Sequence, residues 1–188
     1  MGLKGGIPVT DDLDTYAATS ESKRYTVGPM ATLDLPHGFT VEVDALYRRV
    51  GYRSGGTYVA GFSTYLRQGG NSWEFPMLLR KSLRHGVYAG AGYAPRTIEG
   101  SGHFVDVQSF NGVNSVYQAD TKGVWNTTHG VVAALGIEGR IGHLRLAPEA
   151  RYTYWTSPSV REPGSRGSDV YSNQHQLELL LGITWGSR

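Results

Sequence analysis

Along residues 72 to 80 the chain reads SWEFPMLLR, and its alternate positions carry two different chemistries. Successive side chains of a strand point to opposite faces. Trp73, Phe75, Met77 and Leu79 therefore share one face, and Ser72, Glu74, Pro76, Leu78 and Arg80 the other. The same two-residue period recurs in LKGGIPV, RYTVGPMATLDL, FTVEVDALYRR, GVYAGAGYAPR, GVVAALGIEG, HLRLAPEARYTYW and QLELLLGITW. No segment has a convincing helical period, so the pattern predicts an all-β chain of eight strands.

The links between these segments come in two kinds. PHG at 36–38, RHG at 84–86 and GRIG at 139–142 are tight, whereas residues 10–23, 53–71, 98–127 and 156–174 form long connections. Short turns at one end and long loops at the other predict an up-and-down antiparallel barrel, closed by the first segment meeting the last. In a membrane setting these become short periplasmic turns and four longer extracellular loops. The whole of 1–188 is expected to be one domain of this kind.

Which face lies inside decides the environment. A soluble barrel would put the apolar face in and leave the charges in water. Three features favour the inverse. The segments run near the roughly 9 to 11 residues of a tilted membrane strand. Aromatics gather near their ends, at Tyr25, Phe39, Tyr47, Trp73, Phe75, Tyr152 and Trp185, as an interfacial girdle requires. Many glycines share the charged face, where they make room for large neighbours inside a narrow barrel. The inward set then holds acids at Asp34, Glu42, Asp44, Glu74, Glu138, Glu149 and Glu178 and bases at Lys4, Arg48, Arg80, Arg96, Arg145 and Arg151. They nearly balance, as a closed salt-bridge network requires. Eight strands leave a lumen that side chains fill, so a plugged barrel is expected, with a narrow water-filled pore as the alternative.

Composition narrows the rest. The chain has 188 residues, 26 Gly, 12 Tyr, no Cys and a formal charge of +2, which argues against a disulfide framework, a cysteine zinc site or a nucleic-acid footprint. Mean hydropathy is −0.32, and no run approaches the roughly 18 apolar residues of a membrane helix. No signal-type apolar region follows Met1, so an exported form is expected to have lost its signal.

The runs YTVGPMATLDLP, VEVDALYRR, NSWEFPMLLRK, LRLAPEARYTYW and QLELLLGITW resemble bacterial outer-membrane β-barrels of the small OmpA-transmembrane or OmpX-like kind. The resemblance implies an integral outer-membrane protein in contact with lipid. It also implies a terminal aromatic read by the barrel-assembly machinery, for which Trp185 stands, with Gly186, Ser187 and Arg188 after it.

Candidate chemistry is thin, and no enzyme, cofactor or metal is expected. GAGYAP at 90–95 lies within a strand and reads as barrel glycine rather than a phosphate loop. DDLD at 11–14 reads as a solvated acidic turn rather than a calcium site. Some eight-stranded barrels act on lipid A through a His and a Ser at the rim. His129 and His175 fall on the lipid side by parity, however, and Ser109, Ser168 and Ser172 lie in loops, so no nucleophile and base are paired. Tyr52, Tyr58, Phe62, Tyr65, Phe104, Phe110, Tyr117 and Trp125 lie in or beside the long connections. They point to an extracellular partner or to self-association, and hence to a structural or surface-interaction role.

Overall fold

A computed structural model describes residues 1–15, 18–59, 62–110, 113–158, 161–162 and 170–185. Its main body is a closed antiparallel barrel of eight strands. They are β1 (Gly2–Pro8), β2 (Thr26–Leu35), β3 (Phe39–Asp44 and Leu46–Val59), β4 (Phe62–Glu74 and Met77–Ser82), β5 (Val87–Phe110), β6 (Val113–Ile137), β7 (Leu144–Trp155) and β8 (His175–Trp185). Each strand pairs with its sequence neighbour, and β1 closes on β8 from Gly2 opposite Thr184 to Pro8 opposite Glu178.

Two of the tight turns are hairpin turns of one design. The amide of Phe39 donates to the carbonyl of Pro36 across His37 (φ 62) and Gly38 (φ 74), and Val87 donates to Arg84 across His85 (φ 59) and Gly86 (φ 76). Two successive left-handed residues match the twist of the flanking strands, which is why glycine holds the second place.

Two of the connections expected to be long loops are strand instead. Residues 53–59 and 62–71, and 98–110 and 113–127, continue the ladders of β3–β4 and β5–β6 past the barrel, so that β5 and β6 reach 24 and 25 residues. Their glycines, serines and threonines blurred the alternation that an apolar face makes visible. SWEFPMLLR, expected as one strand, breaks at Phe75–Pro76. Pro76 has no amide to give the ladder, and its carbonyl accepts from Asp44 at 3.0 Å. The backbone of β3 is interrupted beside it at Ala45, whose amide donates to Pro29. Above this joint, Ala18–Ser20 pairs with β3, and a separate small sheet joins Leu13–Thr15, Val170–Ser172 and Arg161–Glu162.

Burial settles the orientation of the faces. Trp73, Phe75, Met77 and Leu79 are exposed on the outer wall while Ser72, Glu74, Pro76, Leu78 and Arg80 are buried. The same division holds in the other strands, with Leu179 and Leu181 outside and Glu178 and Leu180 inside. All seven predicted girdle aromatics are on the outer wall and at least partly exposed. Tyr93, Tyr154, His129 and His175 extend that belt. His129 stacks on Tyr93, and His175 lies against Tyr152 and Tyr154 while its Nδ1 is 2.6 Å from the Tyr152 hydroxyl.

Candidate functional site: the filled lumen

Inside, small residues make space and large charged ones fill it. Tyr88 lies across Gly136, where an added Cβ would come within 2.4 Å of the phenol ring, and its hydroxyl donates to Glu149 at 2.8 Å. Gly182 faces Lys4 directly across β8 and β1, leaving the ammonium free to reach the axis.

Two charge clusters result. In the one nearer the short turns, Glu42 is the hub and is bonded to Lys4, Arg80 and Arg151, the last at 2.9 Å. Arg151 also holds Asp44 at 2.8 Å and Glu149 at 2.7 Å, and Lys4 lies 3.4 Å from Asp44. In the cluster nearer the long hairpins, Arg48 bonds Glu74 and lies 2.8 Å from Asp12 and 3.5 Å from Glu178. Arg96 adds a longer contact to Glu74 at 3.9 Å and lies over the Trp155 ring, 4.0 Å from its centre. Gln176 joins the set, donating to Glu74 at 3.2 Å and accepting from Trp155 at 2.9 Å.

Ten of the thirteen charges expected in the lumen are thus buried and brought together. Three differ. Arg145, Glu138 and Asp34 form a chain at the short-turn mouth, with Arg145 3.2 Å from Glu138 and 3.4 Å from Asp34, and Asp34 is exposed there. They lie too near the strand ends to be enclosed. A gap of about 10 Å³ between Glu138, Arg145 and Arg80 is room for about one water molecule.

One member of the network was misread from sequence. The acidic turn at 11–14 does not lie wholly in solvent: Asp12 is buried against Arg48, and Leu13 packs with Val50, Tyr52 and Ile98 into an apolar lid over the upper cluster. Tyr52, expected among the loop aromatics, belongs to this lid, whereas Tyr65 and Tyr117 are exposed. The side chains of Tyr58, Phe62, Phe110, Trp125, Ser109 and Asp14 lie outside the described residues, as do Ser168 and residues 186–188. The signal in sequence for Leu13 was its isolation, a lone apolar residue between acids in an otherwise polar connection.

Asp12 supplies a pH dependence. It lies beyond the end of β1, and its carboxyl is pushed up to about 6 by burial, an effect that the attraction of Arg48 only partly offsets. An acid whose pKa is raised in the docked state binds its proton more tightly there than in water. Docking is then strongest below the ordinary value of 3.8 and weakens as pH rises toward 6, by about 3 kcal/mol in all. Amide protection across residues 10–15 and 18–23, with the intrinsic pH dependence of exchange divided out, is expected to be higher at pH 4 than at pH 7. Asp12→Asn should flatten the difference, and a profile unchanged by that substitution would exclude Asp12 as its source.

Among the described residues the buried cations are Lys4, Arg48, Arg80, Arg96 and Arg151, and the buried carboxylates are Asp12, Glu42, Asp44, Glu74, Glu149 and Glu178. Five face six, so the interior is balanced when Asp12 holds its proton, below about pH 6.

No family model matches the sequence, and no curated protein matches it. Among solved structures the chain is similar to one described as the NanC porin in a rhombohedral crystal form, at 8% identity over the whole of both chains with a TM-score of 0.29. That likeness is too distant to carry an argument about function.

Proposed function

We propose that this chain is an outer-membrane barrel whose lumen is closed by its own side chains and whose projecting hairpins serve structural or surface-interaction roles such as adhesion or anchoring. The observation that carries the closed lumen is the pair of buried ion clusters under the Leu13 lid. The membrane reading is supported by the outer wall. From His175 to Trp185, β8 turns Leu177, Leu179, Leu181 and Ile183 outward, about 33 Å of strand, or about 25 Å of height at the usual tilt. That is the apolar band a bilayer requires. Lipid is the first partner, and a family position among small OmpA-like or OmpX-like barrels, with assembly through Trp185, accords with it. The exposed Tyr65 and Tyr117 on the hairpins are the candidate contacts for a second copy or an extracellular partner. No catalysis is assigned, since His129 and His175 are engaged with tyrosines on the outer wall.

A narrow small-solute pore is the second reading. It is favoured by Arg151 Nη1, Asp44 Oδ1 and Glu178 Oε2, which are buried and lack a hydrogen-bond partner among the described residues; such groups are normally met by water. Planar-bilayer recording separates the two. The closed reading expects no discrete conductance steps from refolded chain, and steady single-channel openings whose conductance or ion selectivity changes on Arg151 substitution would establish the pore.

A further inference from the structure

Just beyond the aromatic belt, on the outer wall and away from the lumen, lies a cleft of about 850 Å³. Its floor is a row of small residues, Gly51, Gly69 and Ser101, directly opposite one another on β3, β4 and β5. The row farther from the barrel carries Arg53, Arg67 and His103, and the row nearer to it carries Arg49 beside Lys23, whose amide donates to the Arg49 carbonyl at 2.8 Å.

These cations are not equivalent. Glu21 reaches into the cleft and takes the upper pair, with its carboxylate 2.7 Å from Arg67 Nε and 3.8 Å from Arg53 Nε, while His103 lies 2.6 Å from Asp120. Lys23 and Arg49 have no ion pair among the described residues. Glu99, opposite Asn71 in the Arg49 row, bounds the unpaired positive region on the β5 side.

Height identifies what the unpaired cations meet. Arg49 stands two residues past the belt residue Tyr47, about 7 Å along the strand and about 5 Å above the belt at the usual tilt. The polar layer of one leaflet is about 5 to 8 Å deep, so Lys23 and Arg49 sit at the level of lipid phosphates. The polar trough continues outward past that level. A phospholipid head leaves such a trough empty, whereas a phosphorylated sugar extends into it.

Resting on the membrane reading above, we propose that this cleft seats the head of a phosphate-bearing glycolipid of the outer leaflet. Lys23 and Arg49 hold the phosphate, Arg49 through its bidentate fork and Lys23 as a point charge, and the sugar lies over Gly51 and Gly69.

The test uses the full chain refolded in micelles, titrated with diphosphoryl lipid A, with its dephosphorylated form and with inorganic phosphate, and followed by native mass spectrometry. Diphosphoryl lipid A should bind at least about tenfold more tightly than the dephosphorylated form. The double variant Lys23→Gln with Arg49→Gln should remove that preference. Gly69→Leu should weaken binding with every charge in place. An added Cβ there meets only the Val50 carbonyl oxygen, at 3.8 Å, so folding should be retained, checked by heat-modifiable gel mobility. Equal binding of both lipid forms, or a double variant that binds like the parent, overturns the site. Displacement of the lipid by millimolar inorganic phosphate overturns the glycolipid assignment. A chain that is monodisperse without detergent overturns the membrane reading and the site with it, whereas a chain that needs detergent yet shows no preference overturns the site alone.

Discussion

Glu42→Ala is expected to destabilise the barrel by about 3 to 5 kcal/mol, the cost of breaking a buried ion cluster by removing one partner. Glu42 is the carboxylate shared by Lys4, Arg80 and Arg151. Its loss leaves Lys4 and Arg151 with Asp44 and Glu149, and Arg80 with the half-buried Glu138 at 3.3 Å, in a space where the gap toward the short-turn mouth has room for about one water. The effect should be strongly coupled. Glu42→Gln combined with Arg80→Gln removes one charge of each sign and should cost less than the two single changes together, because residues in one network do not act additively. Urea unfolding in detergent micelles reads each variant, and strictly additive losses across that cycle would show that the network is not a unit.

Leu179→Arg is expected to cost about 2 to 4 kcal/mol in a bilayer, the value for a cation on the lipid face near mid-membrane. Leu179 is half exposed on the outer wall at the centre of β8. The adjacent Leu180 points into the lumen opposite Glu149, and Leu180→Gln should be milder because its amide finds polar neighbours. The two changes lie one residue apart and differ only in face. Folding yields into vesicles that rank them in the opposite order would exchange inside and outside.

The strands were legible where one face was continuously apolar. Leu177, Leu179, Leu181 and Ile183 could not be mistaken, and the buried charges of β7 and β8 followed from parity alone. Legibility failed beyond the apolar band. In the upper halves of β5 and β6 apolar residues such as Ile98, Phe104, Val105, Val107 and Val116 are scattered over both faces among polar ones, so the two-residue period has little contrast, although the backbone ladder runs on unbroken from Ile98 opposite Trp125 to Phe110 opposite Val113. Parity also gives no information about chain that returns to the barrel from a loop. Asp12 and Leu13 enter the lumen by tertiary contact with Arg48 and Ile98, and nothing in their local spacing requires it. The cleft was invisible for a related reason, since Lys23, Arg49 and Gly69 become neighbours only once the register of three strands is fixed.

The long ladder of β5 and β6, with one register shift between Trp125 and Thr128, has a mechanical consequence. A tether fixed at the tip of that hairpin pulls both strands in the same direction, so the bonds between them are not peeled apart. The load passes sideways into β4 and β7, whose hydrogen bonds to the pair lie across the line of force and must fail together rather than one after another. Beside it, β3 and β4 are interrupted at Ala45 and Phe75–Pro76, so that hairpin meets the barrel at a joint. One projection is a mast, and its neighbour, though broken from the barrel at that joint, is laced to the mast from Phe62 opposite Gln108 to Glu74 opposite Arg96 and moves with it.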